Sequence, residues 1–304
     1  MQKIVFMGTP DYATVIFEKL LENDYEILAL FTQPDKPVGR KQLLTPPHIK
    51  KFTLENGLSL PIYQPQNLKE KSVEDTIRKL NPDIIVVAAY GQILPKNILD
   101  IAPCINLHAS LLPKYRGASP IQQSLLNDDK FTGVTAMYMD VGLDSGDILG
   151  LKYIKIEPDT TVPELFDKLS VTAAKLTIEI LENFKNIKAK KQNLSLVSHC
   201  SKVKKTDGLV QFDDANIFYN KYRAYKTWPD IYLESSLKIK ECKLYEKDSI
   251  NNNAEILKIE KDYIVVGCKK GSIIITMVQP NSKKPMNVLD YIRGKRYQVG
   301  DIFS

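Results

Sequence analysis

Asn106 and His108 stand two residues apart at the end of a short apolar run, and a Pro/Gly-containing stretch follows directly: Ser110-Leu111-Leu112-Pro113-Lys114-Tyr115-Arg116-Gly117. On an extended strand, residues i and i+2 leave the same face, so the amide and the imidazole point together. A side-chain amide donates to a developing oxyanion, and an imidazole moves a proton near neutral pH. The pair suits chemistry at a carbonyl carbon. A second polar cluster, Asp140-Val141-Gly142-Leu143-Asp144-Ser145-Gly146-Asp147, follows another strand-like run at 134–138. Such a composition is often only a turn. A loop after a strand of the same sheet, however, faces the same crevice, which places Asp144 to orient the imidazole or tune its protonation. Spacing such as His-Glu-x-x-His is absent, so no metal is expected.

These side chains need a rigid frame, and the first two-thirds of the sequence supplies one. Apolar runs at 4–7, 27–31, 83–90, 104–107 and 134–138 alternate with helical stretches. Continuous β-branched runs separated by helices predict parallel strands covered on both faces, a doubly wound α/β sheet with its functional loops at the strand carboxyl ends. Thr9 and Pro10 read as N-cap and first residue of the first helix. A helix from about 161 to 185 closes this region, and a basic polar stretch reads as a linker. Beyond it, short strand candidates at 231–233, 237–239, 256–259, 264–266 and 273–277, with a helix at 217–225, predict a mostly β domain built as a small barrel. The division expected is 1–185, a linker at 186–205, and 206–304. Gly8-Thr9-Pro10 lacks the glycines of a dinucleotide fingerprint, and no phosphate-binding Gly-x-x-x-x-Gly-Lys motif occurs, so dehydrogenase and nucleotide-hydrolase readings fail.

The charge is uneven. Residues 1–199 hold 23 Lys/Arg against 23 Asp/Glu, whereas residues 200–304 hold 19 against 13, so the whole excess of +6 lies in the last third. Such asymmetry points to a polyanionic partner for that part or, on charge alone, to a solubilising surface. The connection 33–47 is long for a βα unit, and Lys36, Arg40 and Lys41 make it a candidate phosphate-contacting clamp. No apolar run approaches the roughly 18 residues of a membrane span. The strand pattern beginning at residue 3 leaves no room for a signal peptide, and Cys104, Cys200, Cys242 and Cys268 show no paired spacing. Reduced thiols in a cytoplasmic protein are expected.

With Asn106-x-His108-x-Ser110-Leu111-Leu112-Pro113, Arg116-Gly117 and Asp140-x-Gly142-Leu143-Asp144-Ser145-Gly146-Asp147 on the page, the chain resembles the folate-dependent formyltransferases. Phe6-Met7-Gly8-Thr9-Pro10-Asp11, the loop through Arg40 and the basic last third narrow the resemblance to the branch acting on methionyl-tRNA. It implies a Rossmann-like formyltransferase domain, an OB-like barrel that binds tRNA, and formyl transfer from 10-formyltetrahydrofolate to the α-amino group of initiator methionyl-tRNA. It further implies Asn106, His108 and Asp144 as catalytic trio, the turn Ser110, Leu111, Leu112, Pro113 against folate, and Arg40 against the tRNA acceptor end. Lys36, Lys41, Lys204 and Lys205 join Arg40 as expected tRNA contacts, with no metal, no membrane and a monomer. Lys41-Gln42 and Pro46-Pro47-His48 depart from the family's usual loop. Two rival readings share parts of the pattern: a formyltransferase for a small amine, such as an amino-sugar nucleotide or glycinamide ribonucleotide, and a noncatalytic RNA-binding protein.

Overall fold

Lys3-Ile4-Val5-Phe6-Met7-Gly8 and Ile84-Ile85-Val86-Val87-Ala88 are apolar almost throughout and buried almost throughout, the mark of central strands in a parallel sheet covered on both faces. A computed structural model describes residues 2–39 and 41–304. In chain order they form β1 (Lys3–Gly8), α1 (Asp11–Glu22), β2 (Glu26–Phe31), β3 (Lys36–Val38), β4 (Leu43–Thr45), α2 (His48–Glu55), β5 (Ile62–Tyr63), α3 (Lys71–Leu80), β6 (Ile84–Ala88), α4 (Lys96–Leu99), β7 (Cys104–His108), β8 (Arg116–Gly117), α5 (Pro120–Leu126), β9 (Phe131–Tyr138), β10 (Ile148–Lys155), α6 (Val162–Asn183) and β11 (His199–Cys200). There follow α7 (Ala215–Tyr225), β12 (Ile231–Tyr232), β13 (Lys238–Ile250), β14 (Ile256–Ile259), β15 (Ile264–Gly267), β16 (Lys270–Gln279), β17 (Met286–Asn287) and α8 (Val288–Lys295). Two units result. The first contains the residues up to Pro120, Phe131–Lys155 and Phe166–Cys200; the second contains Ile121–Lys130, Ile156–Leu165 and Ser201–Ser304.

The first unit is built on a seven-stranded sheet in the order β10-β9-β7-β6-β1-β2-β5. β1 pairs in parallel with β2 and β6, β6 with β7, and β2 with β5. The strand expected at 134–138 is present as β9, but it runs antiparallel to β7, with Asn106 opposite Met137 and His108 opposite Thr135. β10 then pairs antiparallel with β9. Helix length does not set this direction, since β6 and β7 are parallel across an α4 of only four residues; the connection 109–130 simply does not cross back over the sheet. The chain is not carried back to the starting edge, and it enters β9 from the end at which β7 stops.

Two local expectations change as well. Pro10, rather than Thr9, takes the N-cap position of α1, and no side chain caps that helix. Thr9 Oγ1 donates instead to the Tyr90 carbonyl at 2.8 Å, tying the turn after β1 to the turn after β6. Gly8 is required there, because a Cβ would come within 2.5 Å of the Ala13 Cβ. The long connection after β2 is also not unstructured. It holds the hairpin β3–β4, with Val38 opposite Leu43 and Lys36 opposite Thr45.

In the second unit the strands form an antiparallel sheet, β12-β13-β16-β15-β14, with β17 on β16. β13 runs thirteen residues where a strand over 237–239 is expected, and its ladder to β16 shifts register four times. Such bulges bend and twist a strand. α7 matches its expected position and is capped by Asp214, whose side chain accepts from the amides of Asn216 and Ile217. α8 has no counterpart in the sequence reading, although Asn287 accepting from the Leu289 amide and buried Val288, Leu289 and Ile292 give it an ordinary N-cap and apolar stripe.

Candidate active site

β7 delivers Asn106 half-buried and His108 buried from the same face, as their spacing requires. Both converge on Asp144. Asn106 Nδ2 donates to Asp144 Oδ1 at 3.3 Å, and His108 Nδ1 lies 3.6 Å from Asp144 Oδ2. The Gly117 amide donates to the same Oδ2 at 2.8 Å. His108 Nε2 faces the Tyr115 carbonyl oxygen at 2.9 Å. A carbonyl only accepts, so Nε2 carries a hydrogen. Nδ1 is therefore the ring atom free to take and release a proton, and it looks at a carboxylate.

Asp144 reaches this place by a route other than the expected one. Because β9 is antiparallel, its carboxyl end lies beside the start of β7, where the Met139 amide donates to the Cys104 carbonyl. The loop 140–147 must climb back along β7. Asp140 Oδ1 folds it by accepting from the Gly142 amide and the Ser145 hydroxyl. Asp144 itself adopts a left-handed conformation at φ 50°. Gly146 passes so close to Tyr138 that a Cβ would lie 1.8 Å from its carbonyl oxygen.

The turn 110–113 is braced from within. The Ser110 hydroxyl, fully buried, donates to the Lys114 carbonyl at 2.6 Å. Thr135 Oγ1 donates to the Ser110 carbonyl and accepts from the Leu112 amide. Leu112 is buried, whereas Leu111 and Pro113 are half-buried. Sequence reasoning passes over Thr135, which is one more β-branched residue in a strand.

It also passes over residues beyond 186, read as linker. Ser198 accepts from the Arg116 amide through its carbonyl and from the Tyr115 amide through its hydroxyl, and β11 pairs with β8. Gly117, at φ 124°, leaves no room for a side chain, since a Cβ would sit 2.1 Å from the Cys200 carbonyl oxygen. Gln192 is buried: its Oε1 accepts from Arg116 Nε and Nη2 at 3.0 and 2.7 Å, and its Nε2 donates to the carbonyls of Asp144 and Gly146 at 2.9 and 2.8 Å. Burial pushes the nearby Cys200 thiol up, and the Asp144 charge adds to the effect. That thiol is protonated at neutral pH.

None of the expected phosphate-contacting residues that are described is seen bonded to the trio. Lys36 and Lys41 are exposed on and beside the β3–β4 hairpin; Arg40 lies outside the described residues. Lys204 and Lys205 are exposed in the second unit, at a turn closed by the Lys204 amide donating to Asp207. A network at the hairpin's base has no counterpart in the sequence reading. Lys50 Nζ donates to both Asp35 oxygens and to Gln64 Oε1 at 2.7–2.9 Å, and Gln64 Nε2 donates to Asp35 and to the Gln33 carbonyl. Near the carboxyl ends of β2 and β6, Thr32 Oγ1, Gln33 Nε2 and Tyr90 Oη are buried and find no hydrogen-bond partner among the described residues.

Residues 2–181 match the family Formyl transferase, and residues 202–296 match Formyl transferase, C-terminal domain. The chain belongs to the formyl transferase family. Among its relatives, the methionyl-tRNA formyltransferase of a Nitratiruptor species is 56% identical over 301 residues, 99% of each chain. That of Sulfurimonas denitrificans is 55% identical over 303 residues, covering 99% of this chain and 100% of the relative. This formyl transferase also shares its fold with the N-formyltransferase from Helicobacter canadensis, solved with folinic acid and dTDP-3-aminofucose, at TM-score 0.70 and 19% identity over 90% of this chain and 99% of that one. Residues 182–201, with Gln192 among them, fall between the two family matches.

Proposed function

We propose that the enzyme transfers the formyl group of 10-formyltetrahydrofolate to the α-amino group of initiator methionyl-tRNA, acting as a cytoplasmic monomer. The observation that carries the reaction is the convergence of Asn106 and His108 on Asp144. The acceptor follows from relatives more than half identical over the whole chain, both methionyl-tRNA formyltransferases. Residues 1–185, with the segment up to Cys200 that braces their site, act as the catalytic domain and 206–304 as the tRNA-holding domain.

The amine attacks the formyl carbon and a C–N bond forms, leaving an oxyanion on a tetrahedral carbon. Asn106 Nδ2 donates to that oxyanion, a contribution of the oxyanion-hole kind. The attacking nitrogen must lose a proton and the departing folate nitrogen must gain one. His108 Nδ1 and the Asp144 carboxylate form the relay, directly or through a water. The Tyr115 carbonyl on Nε2 holds the ring in the tautomer this needs. When the carbon–nitrogen bond to folate breaks, the proton passes to that nitrogen. No covalent bond to the enzyme is required.

The turn 110–113 receives the folate, with Ser110 as its internal brace, Leu112 buried beneath it and Leu111 and Pro113 as its surface. Three unpartnered buried polar groups at Thr32, Gln33 and Tyr90, after β2 and β6 at the same carboxyl end of the parallel strands, support a ligand with polar edges there. Arg40, Lys36 and Lys41 of the connection 33–47 and Lys204 and Lys205 in the second unit contact the tRNA backbone, in keeping with the charge excess of the last third. Offering the purified protein 10-formyltetrahydrofolate with methionyl-tRNA, an amino-sugar nucleotide or glycinamide ribonucleotide tests the reading. Formylation of methionyl-tRNA alone is expected; preferential formylation of either small amine refutes it.

A further inference from the structure

We infer that Gln192 is a positioning residue for this reaction, a buried strut that sets the place of Asp144; the inference rests on the catalytic reading of Asp144. Asp144 is held twice by β8. Its carboxylate accepts directly from the Gly117 amide at 2.8 Å. Its backbone is held by Gln192, whose amide nitrogen donates to the Asp144 and Gly146 carbonyls while its oxygen accepts from Arg116 Nε and Nη2. Arg116 and Gly117 are adjacent, so the two holds share one anchor and close a ring around the residue.

The loop needs such a strut. It arrives from the far end of β7, carries glycines at 142 and 146, and places Asp144 at φ 50°, which a non-glycine residue adopts at a cost. The side-chain amide suits the task because it is both donor and acceptor. Two N–H groups meet two loop carbonyls, and one oxygen meets a guanidinium that only donates. At 7% and 8% exposure, neither Gln192 nor Arg116 has water to substitute for these bonds. The bland alternative, that Gln192 merely fills space beneath the loop, predicts a stability defect with no specific link to Asp144.

Gln192→Glu separates the two. It keeps an oxygen for Arg116, so the guanidinium stays paired, but it replaces both donors to the loop with an acceptor that faces carbonyls. Gln192→Met, which removes every bond at similar length, is the second variant. Single-turnover rates with enzyme in excess, KM values for both substrates and thermal midpoints are measured for each, alone and combined with Asp144→Asn. The expected result is a rate about 30- to 100-fold lower for Gln192→Glu, in line with two lost buried hydrogen bonds, with both KM values within about threefold. In the Asp144→Asn background the further loss is expected to shrink to within about threefold, because both changes act through one group. Fold-losses that multiply in the double variant, or a folded Gln192→Glu or Gln192→Met protein with its rate intact, overturn the inference. An unimpaired Asp144→Asn single variant overturns the reading of Asp144 and this inference with it.

Discussion

Replacing Asn106 by alanine separates transition-state stabilisation from ground-state structure, because the structure assigns the amide little of the latter. Asn106 Nδ2 sits 3.3 Å from Asp144 Oδ1, at the long end of hydrogen-bond geometry, and the residue is half-buried. Losing that bond costs under about 1 kcal/mol of folding free energy. Asp144 keeps the 2.8 Å bond from the Gly117 amide, so the loop is not released. An oxyanion-hole donor, by contrast, is worth ~2.7–4 kcal/mol in the transition state, a factor of about 100 to 1,000 in kcat. Asn106→Ala is therefore expected to lower kcat by that factor while its thermal midpoint falls by no more than a few degrees and its affinity for methionyl-tRNA stays within about twofold. The assay is N-formylmethionyl-tRNA formation at saturating levels of both substrates, paired with calorimetry and filter binding on the same preparations. A kcat within tenfold of the parent refutes the oxyanion assignment. A loss of rate that tracks the folded fraction refutes it equally.

Lys50→Met removes the cation that joins Asp35 to Gln64 at the base of the β3–β4 hairpin. The KM for methionyl-tRNA is expected to rise about tenfold, the low end of what charge-assisted bonds supply, with the folate KM within twofold; steady-state kinetics showing an equal rise in both contradict the clamp reading. Glu74 supplies a pH test. The Asn97 amide first, then the Arg78 guanidinium and Lys71, hold its carboxyl down at about 2. Its unfolded value is about 4.3, so its contribution is complete above that value and is lost as pH falls toward 2. Urea unfolding at pH 5 and pH 3 is expected to show a smaller acid loss for Glu74→Gln than for the parent, and identical losses dispose of the argument.

The parallel part of the sheet was legible because burial on both faces writes itself as unbroken apolar runs, as in β1 and β6. Strand direction was not, because a buried strand reads alike either way. For β9 the connection 109–130 is long enough for a crossover, so its length carries no sign of the reversal. β13 was hidden by its charges: Lys238, Lys240, Glu241, Lys243 and Glu246 interrupt it, and only its long ladder with β16 extends the strand past Ile239. α8 left a readable signal in Asn287 and the spacing of Val288, Leu289 and Ile292. There, helical period and cap together would have sufficed.

The trio was found partly by an argument that the geometry reverses. Asn106 and His108 share a face because a strand has period two, and that deduction needs nothing else. Asp144 was placed with them on the premise that its strand ran parallel, which it does not. It arrives only because eight residues double back over roughly two to four strand positions, about 7–13 Å. A loop with glycines at two positions and a left-handed aspartate does not hold such a path unaided. The missing support had to come from elsewhere in the chain, and a single glutamine among lysines, in a stretch with neither helical nor strand periodicity, carries no local sign of burial. Thus the least legible residue of the site follows physically from the least legible feature of the fold. A formyl transferase with β9 parallel would bring its carboxylate to His108 directly and need no Gln192. In this enzyme the antiparallel strand makes the strut necessary.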